Sequence, residues 1–160
     1  MPFIHRYIPL WPLPDYIFIP GVNPHPQIND PTVNEIFPDR PHENDFLKFS
    51  LDLFNHQYFW ESHVYFEALW NTHQRKGSVA LFCKAMIKLG AAGVKFSQHQ
   101  SERGIWHLQR AKELFLELEG FEGKSFLGFD LLKIILNIDS SMGSDKKMFQ
   151  VHFITFLALP

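Results

Sequence analysis

Apolar residues along this chain follow three rhythms. From Met1 to about Pro41 they come in short clusters broken by proline, from Asp45 to Ile138 they recur at steps of three and four, and from Phe149 onward they alternate. Each proline fixes its own φ and drives the residue before it toward extended geometry, so residues 1–42 are expected to form an arm with turns. Phe3, Ile4, Tyr7, Ile8, Leu10, Trp11, Tyr16, Ile17, Phe18 and Ile19 are too many apolar groups for a solvated tail, so the arm is expected to wrap the helices. Val151, Phe153, Thr155, Leu157 and Leu159 alternate in the manner of a strand, which predicts an extended C-terminal tail docked on the core.

The middle rhythm resolves into five helices. Asn44-Asp45 offers N-cap chemistry ahead of Phe46, Phe49 and Leu53, so a first helix is expected to start near Glu43 or Asp45 and end around Asn55-His56. A second covers Trp60 to Trp70, and the short link between the two favours antiparallel neighbours. A third runs from about Ser78 to Phe96. Phe82, Met86, Leu89, Gly93 and Phe96 make one stripe, but Leu81, Ala85, Ile87, Ala91 and Val94 make this helix apolar nearly all round, the pattern of a central helix. Gly90-Ala91-Ala92-Gly93 removes bulk at its middle and predicts a close helix crossing there. Ser101 reads as the cap of a fourth helix, Glu102 to about Glu119, with Ile105, Leu108, Ala111, Phe115 and Leu118 buried. Gly120 and Gly123 interrupt the pattern, a fifth helix opens at Phe129 and ends near Ile138, and residues 139–145 read as a loop. The expectation is an all-α fold: a compact bundle of about five helices in a single domain, with a Pro-rich arm (1–42), a helical core (43–139) and a loop plus extended tail (140–160).

Composition narrows the function classes. Phe alone contributes 17 residues, charged residues make up 20%, and the formal net charge is −2, which gives no electrostatic case for nucleic-acid binding. Cys83 is the single cysteine, so an intrachain disulfide is ruled out, and its apolar surroundings suit a buried side chain better than a nucleophile. No apolar run is long enough for a membrane span, and Pro2, Pro9, Pro12 and Pro14 break the segment where a signal peptide would carry its apolar stretch. A soluble, cytoplasmic protein is expected, with no membrane partner and with homo-oligomerisation left open.

Candidate chemistry centres on the second helix. Trp60, His63, Glu67 and Trp70 fall on one stripe, placing two titratable groups between two indoles, with Glu61 beside them. Burying a His and a Glu is unfavourable unless each finds a partner. Lys84 and Lys88, one turn apart on the apolar third helix, are credible partners for Glu61 and Glu67 or lining residues of a pocket. Arg103, His107 and Arg110 share a face of the fourth helix and could supplement the lysines around an anion. His25, between Pro24 and Pro26, has a restricted backbone and could be aimed at a fixed point. Glycine-rich phosphate loops and nucleophile elbows are absent.

The strings Leu53-Phe54-Asn55, Tyr58-Phe59-Trp60-Glu61-Ser62-His63, Phe66-Glu67-Ala68-Leu69-Trp70 and Met86-Ile87-Lys88-Leu89, with Gly104 before the next helix, together resemble the domain-of-unknown-function 309 family of small bacterial, archaeal and plastid proteins. The resemblance covers about Phe46 to Phe115 and implies a compact all-α bundle without implying a reaction. Its motif positions here are Trp60, Glu61, His63, Glu67 and Trp70, with Lys84 and Lys88 matching a subgroup pattern. Val64 stands where the family usually has Glu after the His, which removes one carboxylate from any catalytic reading.

Two functional classes follow. One is a non-enzymatic binding or structural module in which Trp60, Glu61, His63, Glu67, Trp70, Lys84 and Lys88 form a polar network or hold a small anionic ligand, with His25, Arg103 and His107 as secondary candidates and no cofactor. The other is a metal-dependent hydrolase-like site in which His63 and Glu67, at i and i+4, reach one ion with His25 or His107 as third ligand. The first is favoured, because two ligands flanked by lysines make a poor cation site. The question of enzyme or not is left open by the sequence.

Overall fold

The computed structural model describes residues 4–26, 32–143 and 149–153. Five helices follow a short 3₁₀ turn at Pro41–Glu43: α1 (Asp45–Asn55), α2 (Phe59–Thr72), α3 (Gly77–Ser97), α4 (Ser101–Glu122) and α5 (Leu131–Met142). Between α4 and α5 lies a minimal antiparallel hairpin, β1 (Ser125–Phe126) and β2 (Phe129–Asp130), in which Phe126 pairs with Phe129 and Ser125 with Asp130. Leu127 and Gly128 both take left-handed φ, 53° and 77°, as a two-residue hairpin turn requires.

Helix α3 is the central element, packing chiefly on α2 and α4, while α1 packs on α2 and α5 on α4. Its apolar circumference fits that place: Phe82, Cys83, Ala85, Met86, Leu89 and Ala92 are fully buried. Both glycines expected at the close crossing are needed there. A Cβ on Gly90 would stand 2.8 Å from the Cβ of His63, and one on Gly93 would fall into the ring of Phe59. A third close approach joins α3 to α4, where a Cβ on Gly104 would lie 2.6 Å from the Phe96 ring. An aromatic column runs through the core from α3 to the tail, with Phe82 stacked on Phe129 at 4.7 Å and Phe129 on Phe153 at 4.5 Å.

The helix boundaries follow local chemistry. Asn44 caps α1 by accepting the Leu47 amide at 2.8 Å, while its own amide donates to the carbonyls of Asn34 and Glu35 and so ties the arm to the helix start. Asp130 caps α5 through the Lys133 amide at 3.0 Å. Three expectations need correction. Ser101 is the first residue of α4 and not its cap, which is Gln100 without a side-chain capping bond. Helix α4 continues through the exposed Gly120, whose absent side chain costs helix propensity but no contact, and stops at Gly123, where φ is +87°. Phe129 and Asp130 belong to the hairpin, and α5 extends past Ile138 through Asp139, Ser140 and Ser141, because Met142 continues its core-facing stripe. Phe3, the loop positions Ser144 and Asp145, and the tail positions Thr155, Leu157 and Leu159 lie outside the described residues.

Candidate functional site

Helix α1 is apolar enough to bury almost every residue, and the two polar side chains at its C-terminal end, Asp52 and Asn55, are buried with the rest. Asp52 is 0% exposed and accepts from Arg6 Nε at 2.9 Å, from the Tyr7 amide at 2.8 Å and from the Ile8 amide at 3.1 Å. Arg6 also donates to the carbonyls of Ile8 and Trp11, so it folds the arm on itself while pairing with Asp52. One turn on, Asn55 treats the tail as a strand partner: its Nδ2 donates to the Val151 carbonyl at 2.9 Å and its Oδ1 accepts the Val151 amide at 2.8 Å. Arm and tail meet over this helix, where Tyr7 hydroxyl contacts His152 Nδ1 at 2.8 Å and accepts the Phe153 amide at 3.2 Å. Burial pushes the Tyr7 phenol up to about 12. These residues form a structural clamp. Asn55 was legible as a helix end, but the clamp was not; the signal for it was an Asp inside the otherwise apolar run Leu51 to Phe54.

Helix α2 carries the motif residues, and its geometry separates them. Its buried face is Phe59, Ser62, Phe66 and Leu69, so the stripe of Trp60, His63, Glu67 and Trp70, displaced by one residue, runs along the edge of that face. Glu61 is 3% exposed; its Oε1 accepts the Phe18 amide at 3.4 Å and its Oε2 is buried without a partner among the described residues. Burial raises its pKa, against a lowering by the backbone amides of Glu61 and Phe18. Trp60 sits at the junction with the arm, its ring 4.7 Å from Phe18, 4.8 Å from His25 and 5.9 Å from His63. His25 thus ends on the Trp60 indole, with Nδ1 bonded to the Pro26 carbonyl at 2.8 Å. His63 faces α3 at Gly90 with a buried Nδ1 that has no partner in bonding geometry among the described residues; burial lowers its pKa, offset by the Trp60 backbone, the charge of Glu67 and the Phe59 backbone.

The expected pairing of Lys84 and Lys88 with Glu61 and Glu67 is not made among the described residues. Glu67 is exposed, Glu61 turns toward the arm, and neither lysine is in an ion pair. Lys88 points toward α4, 5.9 Å above the Trp106 ring, where it and Lys95 add to burial in lowering the pKa of His107. Nδ1 of His107 is buried and unpartnered among the described residues. Arg103 is exposed and, among the described residues, reaches Gln100 at 3.5 Å. The candidates therefore fall into three places: Trp60, Glu61 and His25 beneath the arm; Lys88 and His107 between α3 and α4; and Trp70 with Lys84 in a surface groove.

That groove has a volume of about 600 Å³ and lies where the α2–α3 turn meets the C-terminal end of α4. Trp70, Leu81 and Phe121 are its apolar walls, and Phe121 is 71% exposed. Arg75 was missed by the sequence reading. Gln74 and Arg75 adopt left-handed φ of 57° and 58° in succession, held by hydrogen bonds that their backbone N–H groups donate to the carbonyls of Asn71 and Trp70 at 2.9 Å each. Left-handed backbone in non-glycine residues is unfavourable by about 1 kcal/mol or more each, so the surrounding bonds must hold it. The result aims Arg75 back over α2: its guanidinium stands 4.3 Å above the Trp70 ring and its Nε donates to Asn71 Oδ1 at 2.7 Å.

Fold and groove together define a small all-α bundle protein with a surface groove built at one end of its three main helices. The model of the family described as Domain of unknown function (DUF309) matches residues 47–108, from the first turn of α1 into α4. The stretch includes Asp52, the α2 motif, Arg75, Lys84 and Lys88, while the arm, the C-terminal half of α4 and the tail lie outside it. Neither the curated proteins nor the solved structures contain a match to the chain. No helix among the described residues is long and apolar enough to cross a membrane.

Proposed function

We propose that this protein is a non-enzymatic binding module and that its ligand is a small anionic molecule taken up in the groove between α2, α3 and α4. The observation that carries the reading is the preset Trp70–Arg75 stack beside Lys84 in a groove of about 600 Å³. A volume of this size suits a small ligand, and one aromatic wall with a fixed guanidinium and an ammonium is a common recipe for an anion with an apolar body. The remaining motif residues are read as structural: Trp60 and Glu61 seat the arm, and His63 fills the α2–α3 crossing.

The hydrolase-like alternative draws no support from geometry. His25 and His63 lie against the Trp60 indole and not around a common centre with Glu67, and among the described residues no three His, Cys, Asp or Glu side chains come together to hold an ion. The test of the binding reading is a titration of the protein with phenylacetate, followed through tryptophan fluorescence. Saturable binding that weakens about tenfold or more in Lys84→Glu is expected, since a charge-assisted contact is replaced by repulsion. Equal binding by the variant would remove the groove as the site, and absence of binding would remove a singly charged anion as its ligand.

A further inference from the structure

Resting on the groove reading above, a second feature of the same groove names the class of ligand. Four charged residues line it, two of each sign: Arg75 and Lys84, Glu117 and Glu122. Two of the four already have a hydrogen-bond partner among the described residues. Arg75 donates to Asn71 Oδ1 and stacks on Trp70, and Glu122 accepts the Ser78 hydroxyl at 2.6 Å. The other two have none. Lys84, half-buried on α3, and Glu117, exposed on α4, line one cavity on facing helices, yet they form no ion pair with each other or with any other described residue.

A ligand bearing only an anion would satisfy Lys84 and be repelled by Glu117; a simple cation would meet the reverse. A zwitterion satisfies both. We infer that the groove takes a free amino acid with an aromatic or large apolar side chain, its carboxylate on Lys84, its ammonium on Glu117 and its side chain between Trp70, Leu81 and Phe121. Charge-assisted hydrogen bonds favour a compact head group that presents both charges from one carbon, because each then replaces water at a fixed point. The exposed Phe121 gives a further apolar wall of the same groove.

The test compares three probes of one shape on the full chain by isothermal calorimetry: L-phenylalanine, phenylacetate and phenethylamine. L-Phenylalanine is expected to bind about tenfold or more tightly than either singly charged probe, the increment of one added charge-assisted contact. Glu117→Gln should reduce L-phenylalanine to the phenylacetate level and leave phenylacetate no weaker. Lys84→Gln should weaken L-phenylalanine and phenylacetate while sparing phenethylamine. Both side chains reach solvent, so the variants are expected to fold, and an unchanged melting curve establishes it. If phenylacetate binds as tightly as L-phenylalanine, the amino-acid assignment is overturned and the anion reading stands. If phenethylamine is the tightest of the three, or none binds, both are overturned.

Discussion

A carboxylate with no exposed surface is tolerated inside a helical bundle only when its oxygens are filled by donors, and Asp52 has three, from Arg6, Tyr7 and Ile8. Asp52→Ala strands a half-buried guanidinium and two backbone amides, so a loss of about 3 kcal/mol or more is expected in urea denaturation, with Asp52→Asn costing less. A loss within about 0.5 kcal/mol, the range of ordinary surface changes, would mean that the clamp adds nothing to stability. Glu67 makes the opposite case. Its place on the stripe with Trp60, His63 and Trp70 suggested a desolvated network, but the buried face of α2 is the neighbouring stripe through Phe59, Phe66 and Leu69, and Glu67 ends exposed. Glu67→Ala is therefore expected to change stability by no more than about 0.5 kcal/mol in the same experiment. Both stripes carry aromatics, so helical period alone could not say which one faced inward. Asp52 was hidden for a different reason: its partners lie more than 40 residues upstream, on an arm whose path no local pattern records.

At the scale of elements, local chemistry was a good guide where it acts locally. Asn44 capped α1 as its side chain promised, the all-round apolar pattern of α3 placed it at the centre, and the Gly90–Gly93 pair marked the crossing with α2. The guide failed where packing outweighs propensity, as when α4 runs on through Gly120 to end at Gly123, or when Phe129 leaves the fifth helix to pair in a hairpin and stack between Phe82 and Phe153. The turn that positions Arg75 contains no Gly until Gly77, so nothing in its composition announced two successive left-handed residues. The α2–α3 crossing gives the cleanest test at this scale. In an isolated helix Gly93→Ala would gain about 1 kcal/mol in propensity, but here the new methyl enters the Phe59 ring and should force the helices apart. A net loss of about 1–3 kcal/mol is expected in thermal or urea melts. The control Gly120→Ala, with open space around its Cβ, should be neutral or stabilising; a Gly93→Ala variant that behaves like this control would show that the crossing is not tight.

For the molecule as a whole, buried titratable groups on several elements make stability depend on pH in opposing senses. Glu61 joins the arm to α2, and burial raises its pKa from the ordinary 4.5. Its folded form holds the proton more tightly than the unfolded chain, so its contribution is full below 4.5 and is lost as pH rises through the folded pKa. Burial lowers the pKa of His63 and His107 from 6.5, so their contribution is present above 6.5 and is lost as pH falls through the folded values. In the native protein the two trends partly offset each other over the intervening range. Glu61→Gln separates them, because the amide can still accept the Phe18 amide but has no proton to lose. The stability of Glu61→Gln relative to the native protein should therefore increase with pH above 4.5 and level off once the native Glu61 is fully ionised, while the variant alone should keep the rise driven by His63 and His107. Urea denaturation of both proteins at intervals from about pH 4 to about pH 8 measures the difference directly. A difference that stays constant across this range would show that the buried Glu61 carboxyl titrates as it does in the unfolded chain, and that the arm is held without any contribution from its neutral form.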